Sequence, residues 1–120
     1  MDENILAAIL NDKLVDITTI GRKSGKAHTV EVGLRQIDGQ IYLSNNPGTR
    51  DWAANLNARP EFTYHLKQSV KADLKARATA IYDDATRRQI FTTLLSRENR
   101  MDQIEARMTN SHLFKIDLLD

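Results

Sequence analysis

From residue 70 to residue 80 the chain alternates strictly. Val70, Ala72, Leu74, Ala76, Ala78 and Ala80 are apolar, and Lys71, Asp73, Lys75, Arg77 and Thr79 between them are polar. A period of two puts every second side chain on the same face of a strand, so this strand has one wet face and one dry face. The dry face carries mostly alanine, and such small inward residues suit the tight interior of a small barrel. The run therefore predicts a long strand in an antiparallel barrel.

Other segments fit around it. Leu14 to Ile20 reads as a strand, with Val15, Ile17 and Thr19 alternating with Asp16 and Thr18. Residues 27–36 read as a second strand, with Val30, Val32 and Leu34 on one face. Asp38-Gly39 then marks a two-residue hairpin turn, because both of its positions require φ > 0. The second strand should thus pair antiparallel with residues 40–44. Phe62, Tyr64 and Leu66 mark a further strand, and residues 113–118 a closing one. Short helices are expected at residues 3–11, from Thr49 or Arg50 to the stop at Pro60, after a cap at Asp83 or Asp84, and around Met101, Ile104 and Met108. The order β-β-β-α-β-β-α-α-β leaves little room for βαβ crossovers and points to the α+β class.

The 120 residues are the usual size of one domain, and with no linker or repeat in view residues 1–120 are read as a single one. With 17 basic and 16 acidic residues the net charge is +1, and aromatic residues make up 6%. Both figures argue against a nucleic-acid partner. The chain has no cysteine, hence no disulfide framework or thiolate metal site. Its first residues are acidic where a signal peptide needs positive charge, and the apolar stretch from Ile5 to Leu10 is too short for a membrane span. The expectation is a cytoplasmic protein.

The segment with most chemical character is Gly21-Arg22-Lys23-Ser24-Gly25-Lys26. Three cations and a hydroxyl lie between and beside two glycines, directly after a strand. Backbone N–H groups, ammonium charges and a forked guanidinium together suit a phosphate or a carboxylate. The segment is not a P-loop: three residues separate its glycines where four are needed, and Ala27 follows Lys26 where Ser or Thr is required. The same residues also suit a solvated hairpin tip.

His28 stands two residues after Lys26 and extends the candidate anion site. His65 reads as a wet-face strand residue and His112 as structural, and the three histidines lack metal-ligand spacing. Ser24 has no Gly-x-Ser-x-Gly context. Trp52, stacked with Leu56 at i, i+4, anchors its helix, and its edge is a candidate lining for a ligand pocket.

Asp16-Ile17-Thr18-Thr19-Ile20-Gly21-Arg22-Lys23-Ser24-Gly25-Lys26 resembles the signature of the deazaflavin-dependent nitroreductase family. Asn55-Leu56-Asn57-Ala58-Arg59-Pro60 is similar to that family's Asn-Leu-x-Ala-x-Pro element, about thirty residues on. The resemblance implies a split β-barrel with short flanking helices, related to FMN-binding oxidases. It implies that Arg22, Lys23, Ser24, Gly25, Lys26 and His28 contact the cofactor, with Ser44, Asn45, Asn46, Arg50 and Trp52 contributing from the second loop. It implies hydride transfer from reduced F420, with FMN as the alternative cofactor, to a small electron-poor acceptor such as a quinone or nitro compound. A homodimer follows from the same resemblance. A non-catalytic flavin- or anion-binding module is the alternative function. Asn45 stands where well-known members carry lysine, and residues 96–110 lack the tyrosines that those members place near the acceptor.

Overall fold

A computed structural model describes residues 2–45 and 51–119. Helix α1 (Glu3–Asn11) starts at Asp2, whose carboxylate accepts the N–H groups of Asn4 and Ile5. Strands β1 (Leu14–Ile20) and β2 (Ala27–Gly33) follow, then β3 (Arg35–Ile37) and β4 (Gln40–Ser44). Helix α2 (Asp51–Ala58) leads to β5 (Glu61–Leu66) and β6 (Ala72–Ala80). Helix α3 (Asp84–Arg97), a 3₁₀ turn (Met101–Gln103), α4 (Ile104–Asn110) and β7 (Leu113–Leu119) complete the order.

The seven strands form one sheet in the order β2-β1-β5-β6-β7-β4-β3, and the paired neighbours are antiparallel. The outermost strands are β2 and β3, yet only Leu34 separates them in sequence. In a flat sheet they would lie about 29 Å apart, at roughly 4.8 Å per strand. One intervening residue spans only about 7 Å. The sheet must therefore curl until its two edges meet, which makes the fold a split antiparallel barrel of the α+β class, as expected.

The expectation of one strand over residues 27–36 needs correction. Residues 27–33 pair along their length with β1, and only residues 35–37 pair with β4. The break has a local cause. Gly33 faces Leu14, the first residue of β1, so β1 offers the next residue no ladder partner, and the Leu34 N–H instead donates to the Lys13 carbonyl at 2.8 Å. The hairpin turn itself forms as predicted, with Asp38 at φ 51° and Gly39 at φ 85°.

Val15, Ile17, Ile41, Leu43, Phe62, Tyr64, Leu66, Ala76, Ala78, Phe114 and Ile116 fill the barrel, joined by Ala8 and Ile9 of α1 and by Trp52, Ala53 and Leu56 of α2. Ile90, Phe91, Leu94 and Leu95 of α3 form a second cluster with Leu113, against which Ile37 and Tyr42 pack. Full burial of each large apolar side chain contributes about 1.5–3 kcal/mol. Two helices thus complete the interior while α3 packs separately.

Candidate functional site

The basic loop is a closed ring of main chain. The Gly21 N–H donates to the Lys26 carbonyl at 2.8 Å, and the Gly25 N–H to the Gly21 carbonyl at 2.9 Å. The Lys26 N–H donates to Ser24 Oγ at 3.2 Å. Gly21 is required by close approach: a Cβ there would lie 2.5 Å from Ser24 Oγ and 3.2 Å from His28 Nε2. The hydroxyl and the imidazole therefore pack directly over a bare stretch of backbone.

Asn55 of α2 holds this ring in place. Its Oδ1 accepts the Arg22 N–H at 3.1 Å, and its Nδ2 donates to Thr19 Oγ1 at 3.2 Å. Asn55 is 5% exposed and Thr19 1%. Buried polar groups of this kind persist because each is hydrogen-bonded. The pair bolts the loop to the middle of α2, and between loop and helix opens a cavity of about 370 Å³. Arg22, Lys23 and Ser24 line one side, His28 and Val30 of β2 another, and Asp51 and Trp52 of α2 a third. Val30 is 39% exposed, an uncovered apolar residue next to the cations.

Two cationic side chains, a hydroxyl and an imidazole lining one cavity suit a phosphate or carboxylate. The indole of Trp52, buried against Phe114 at 6.2 Å between ring centroids, adds an apolar wall, so both sequence readings of this residue apply at once. Asp51 adds one carboxylate to the same lining.

The other sequence candidates lie elsewhere. Gly25 and Lys26 close the loop but do not line the cavity. Ser44 and Asn45 are buried and face the start of β7. Ser44 Oγ donates to the His112 carbonyl at 2.8 Å, and Asn45 Oδ1 accepts the His112 N–H at 2.8 Å. Asn46 and Arg50 lie outside the described residues.

Two buried arginines, which no sequence pattern singled out, support this second region. Arg107, 2% exposed, donates to the Asn45 carbonyl at 2.9 Å and also bonds Gln103 Oε1. Burial, then the nearby Arg35, pulls its guanidinium below its ordinary value, while Glu98 acts in the opposite direction. Arg87 donates to the carbonyls of Ile81, Met108 and Ser111 at 2.9–3.0 Å, so it satisfies two acceptors left at the end of α4 and one just after β6. The signal missed in the sequence was an arginine at the spacing of an apolar stripe, one turn before Phe91, over whose ring it lies at 5.3 Å.

Solved structures share this fold. A conserved hypothetical protein from Mycobacterium tuberculosis superposes with a TM-score of 0.75 at 17% identity, over 100% of this chain and 82% of that one. The general stress protein 26 of Bacillus anthracis gives 0.70 at 16%, over 97% and 87%. An F420-H2 dependent reductase gives 0.67 at 16%, over 88% and 95%. At these identities the likeness speaks for the fold alone. A search of curated proteins found no match. The sequence profile of the F420H(2)-dependent quinone reductases, however, matches residues 7–111, a span that holds both the basic loop and α2. The chain belongs to the F420H(2)-dependent quinone reductase family, whose cofactor is F420.

Proposed function

We propose that this chain binds reduced F420 at the cavity between the basic loop and α2 and reduces a small quinone. The observation that carries the reading is the bolted loop. Asn55 fixes the Arg22 backbone, Ser24 and His28 pack over Gly21, and two cationic side chains line the adjoining cavity. The phosphate and carboxylate tail of F420 has the charge and the acceptor oxygens that such a donor set takes. Arg22 and Lys23 are the phosphate cations in this proposal. Ser24 and His28 add polar contacts, and Trp52 forms the apolar wall. Gly25 and Lys26 shape the ring. Ser44 and Asn45 act from behind, by holding the second loop to β7.

When bound, reduced F420 supplies a hydride to a two-electron acceptor. The chain's own contribution is to hold and orient it. The ring of hydrogen bonds leaves few soft torsions in the loop, so little ordering cost falls on binding. Nitro compounds are a second acceptor class within the proposal. So is a homodimer: β2 ends the strand order of the sheet, with no second paired strand among the described residues, and Val30 beside the cavity is exposed. A cytoplasmic location completes it. Among the described residues no helix is long and apolar enough to cross a membrane.

The test is a fluorescence titration of the purified protein with F420, followed by oxidation of the bound reduced form with a panel of quinones and nitroaromatics. The expected result is tight binding with quinone-dependent oxidation. Tight binding without oxidation by any acceptor would instead mean a carrier module. Binding weaker than about millimolar, the weak end of the affinity scale, would remove the proposal. Sedimentation in the same buffer reads the oligomeric state.

A further inference from the structure

A second polar cavity, of about 460 Å³, lies on the outer face of the sheet and shares no lining residue with the one at the basic loop. A continuous row of hydrogen bonds crosses it. Asp73 Oδ1 lies 2.7 Å from His65 Nδ1, His65 Nε2 lies 2.7 Å from Thr18 Oγ1, and Thr18 Oγ1 lies 2.7 Å from Thr29 Oγ1. The four residues come from β6, β5, β1 and β2, which are neighbours in the sheet. Each stands on the outward phase of its strand, since Ile17, Tyr64 and Ala76 occupy the inward phase. Lys71 lines the same cavity, while Lys67 is held in ion pairs with Asp16 and Glu31.

The row has a direction. A carboxylate can only accept, so the network assigns the Nδ1 proton of His65 to the bond with Asp73. In the tautomer with its proton on Nδ1, Nε2 is an acceptor, and the Thr18 hydroxyl donates to it. Thr29 in turn donates to Thr18. Carboxylate, imidazole and hydroxyl stand in the order that activates a weak oxygen nucleophile. Thr18 lines the cavity, so there is room for a small molecule beside its side chain.

We propose that Thr18 is an acyl-accepting nucleophile, with His65 as its general base and Asp73 as the carboxylate that orients His65. The substrate class is esters of small carboxylic acids with a good leaving group. Thr18 Oγ bonds the carbonyl carbon as its proton passes to His65 Nε2. The bond from that carbon to the leaving oxygen breaks, and the leaving oxygen takes the proton. Water then adds to the acyl carbon, gives a proton to His65, and Thr18 Oγ departs with it. The sum is ester plus water to acid plus alcohol, with no change of oxidation state. Lys71, which lines the same cavity, supplies the cation for the transient negative charge.

The experiment treats the whole chain with p-nitrophenyl acetate, follows release of nitrophenolate, and locates the acetyl group by peptide mass spectrometry. The expected adduct is on Thr18. Thr18→Val abolishes it, Thr18→Ser keeps it, and His65→Gln slows its formation by about a hundredfold, the usual contribution of a general base. Asp73→Asn slows it less. Acetyl found only on His65, Lys67 or Lys71, an undiminished rate in His65→Gln, or loss of labelling in Thr18→Ser would each overturn the assignment. Oxidation of reduced F420 by quinone should be the same in all four variants, because none of them alters the other cavity.

Discussion

The side-chain oxygen of Asn55 accepts the backbone N–H of Arg22 at 3.1 Å across a sequence separation of 33 residues. Through its amide nitrogen the same side chain reaches Thr19 on β1. One buried residue of α2 therefore sets both where the basic loop begins and which way it leaves the strand.

Replacing Asn55 should loosen that loop. Asn55→Leu leaves the Arg22 N–H and the Thr19 hydroxyl without their partner, and a buried unsatisfied group costs about 1–3 kcal/mol. Urea denaturation should show a loss in that range, and F420 titration a weaker Kd. Unchanged affinity in a folded Asn55→Leu protein would mean that the loop does not need its clamp.

Gly21→Ala should disturb the loop through one contact. The added Cβ meets Ser24 Oγ at 2.5 Å, a distance real Cβ atoms do not tolerate. Cofactor affinity should fall in Gly21→Ala and recover in Gly21→Ala/Ser24→Ala, where the hydroxyl is gone. Residues in direct contact are where such non-additivity is expected. Simple additivity of the two losses would contradict the geometry.

Arg22→Ala/Lys23→Ala tests the charges alone. Surface substitutions away from packed features change stability by less than about 0.5 kcal/mol, so the fold should persist. Affinity for F420 should drop, and its dependence on salt should flatten, because screened charge pairs are the salt-sensitive part of binding. Unfolding of this double variant would show the two side chains to be structural.

Tyr64 offers a prediction about stability and pH. Its hydroxyl is buried in the barrel with no hydrogen-bond partner among the described residues. Burial, and secondarily the Asp12 charge, pushes its pKa well above the ordinary value of 10.0. A raised folded pKa contributes stability that is whole below the unfolded pKa and is lost as pH rises past it, because only the unfolded chain can then release the proton. Tyr64→Phe should therefore be neutral or stabilising by about 1 kcal/mol near neutral pH. It should also flatten the fall in Tm above pH 10.0. A clear loss of stability at neutral pH would point to a partner for the hydroxyl.

Much of the molecule was legible residue by residue. Helix α1 and strand β1 stand where their patterns put them, Asp38-Gly39 turns as its chemistry demands, and Asp83 caps α3 by accepting the Thr86 N–H. The basic loop announced itself through glycine and charge. These features are local: strand period, helical period and turn chemistry are set between residues two to four apart, so a single stretch of sequence suffices to express them. Tertiary structure alone decided the rest. It divided residues 27–36 between two partners because β1 begins only at Leu14, turned Ser44 and Asn45 toward His112, buried Arg87 and Arg107, and made Asn55 the clamp of the loop. Each of these outcomes depends on a hydrogen-bond partner about 10 to 70 residues away, and which partner is reached is settled only when the sheet curls and water is excluded from the contacts.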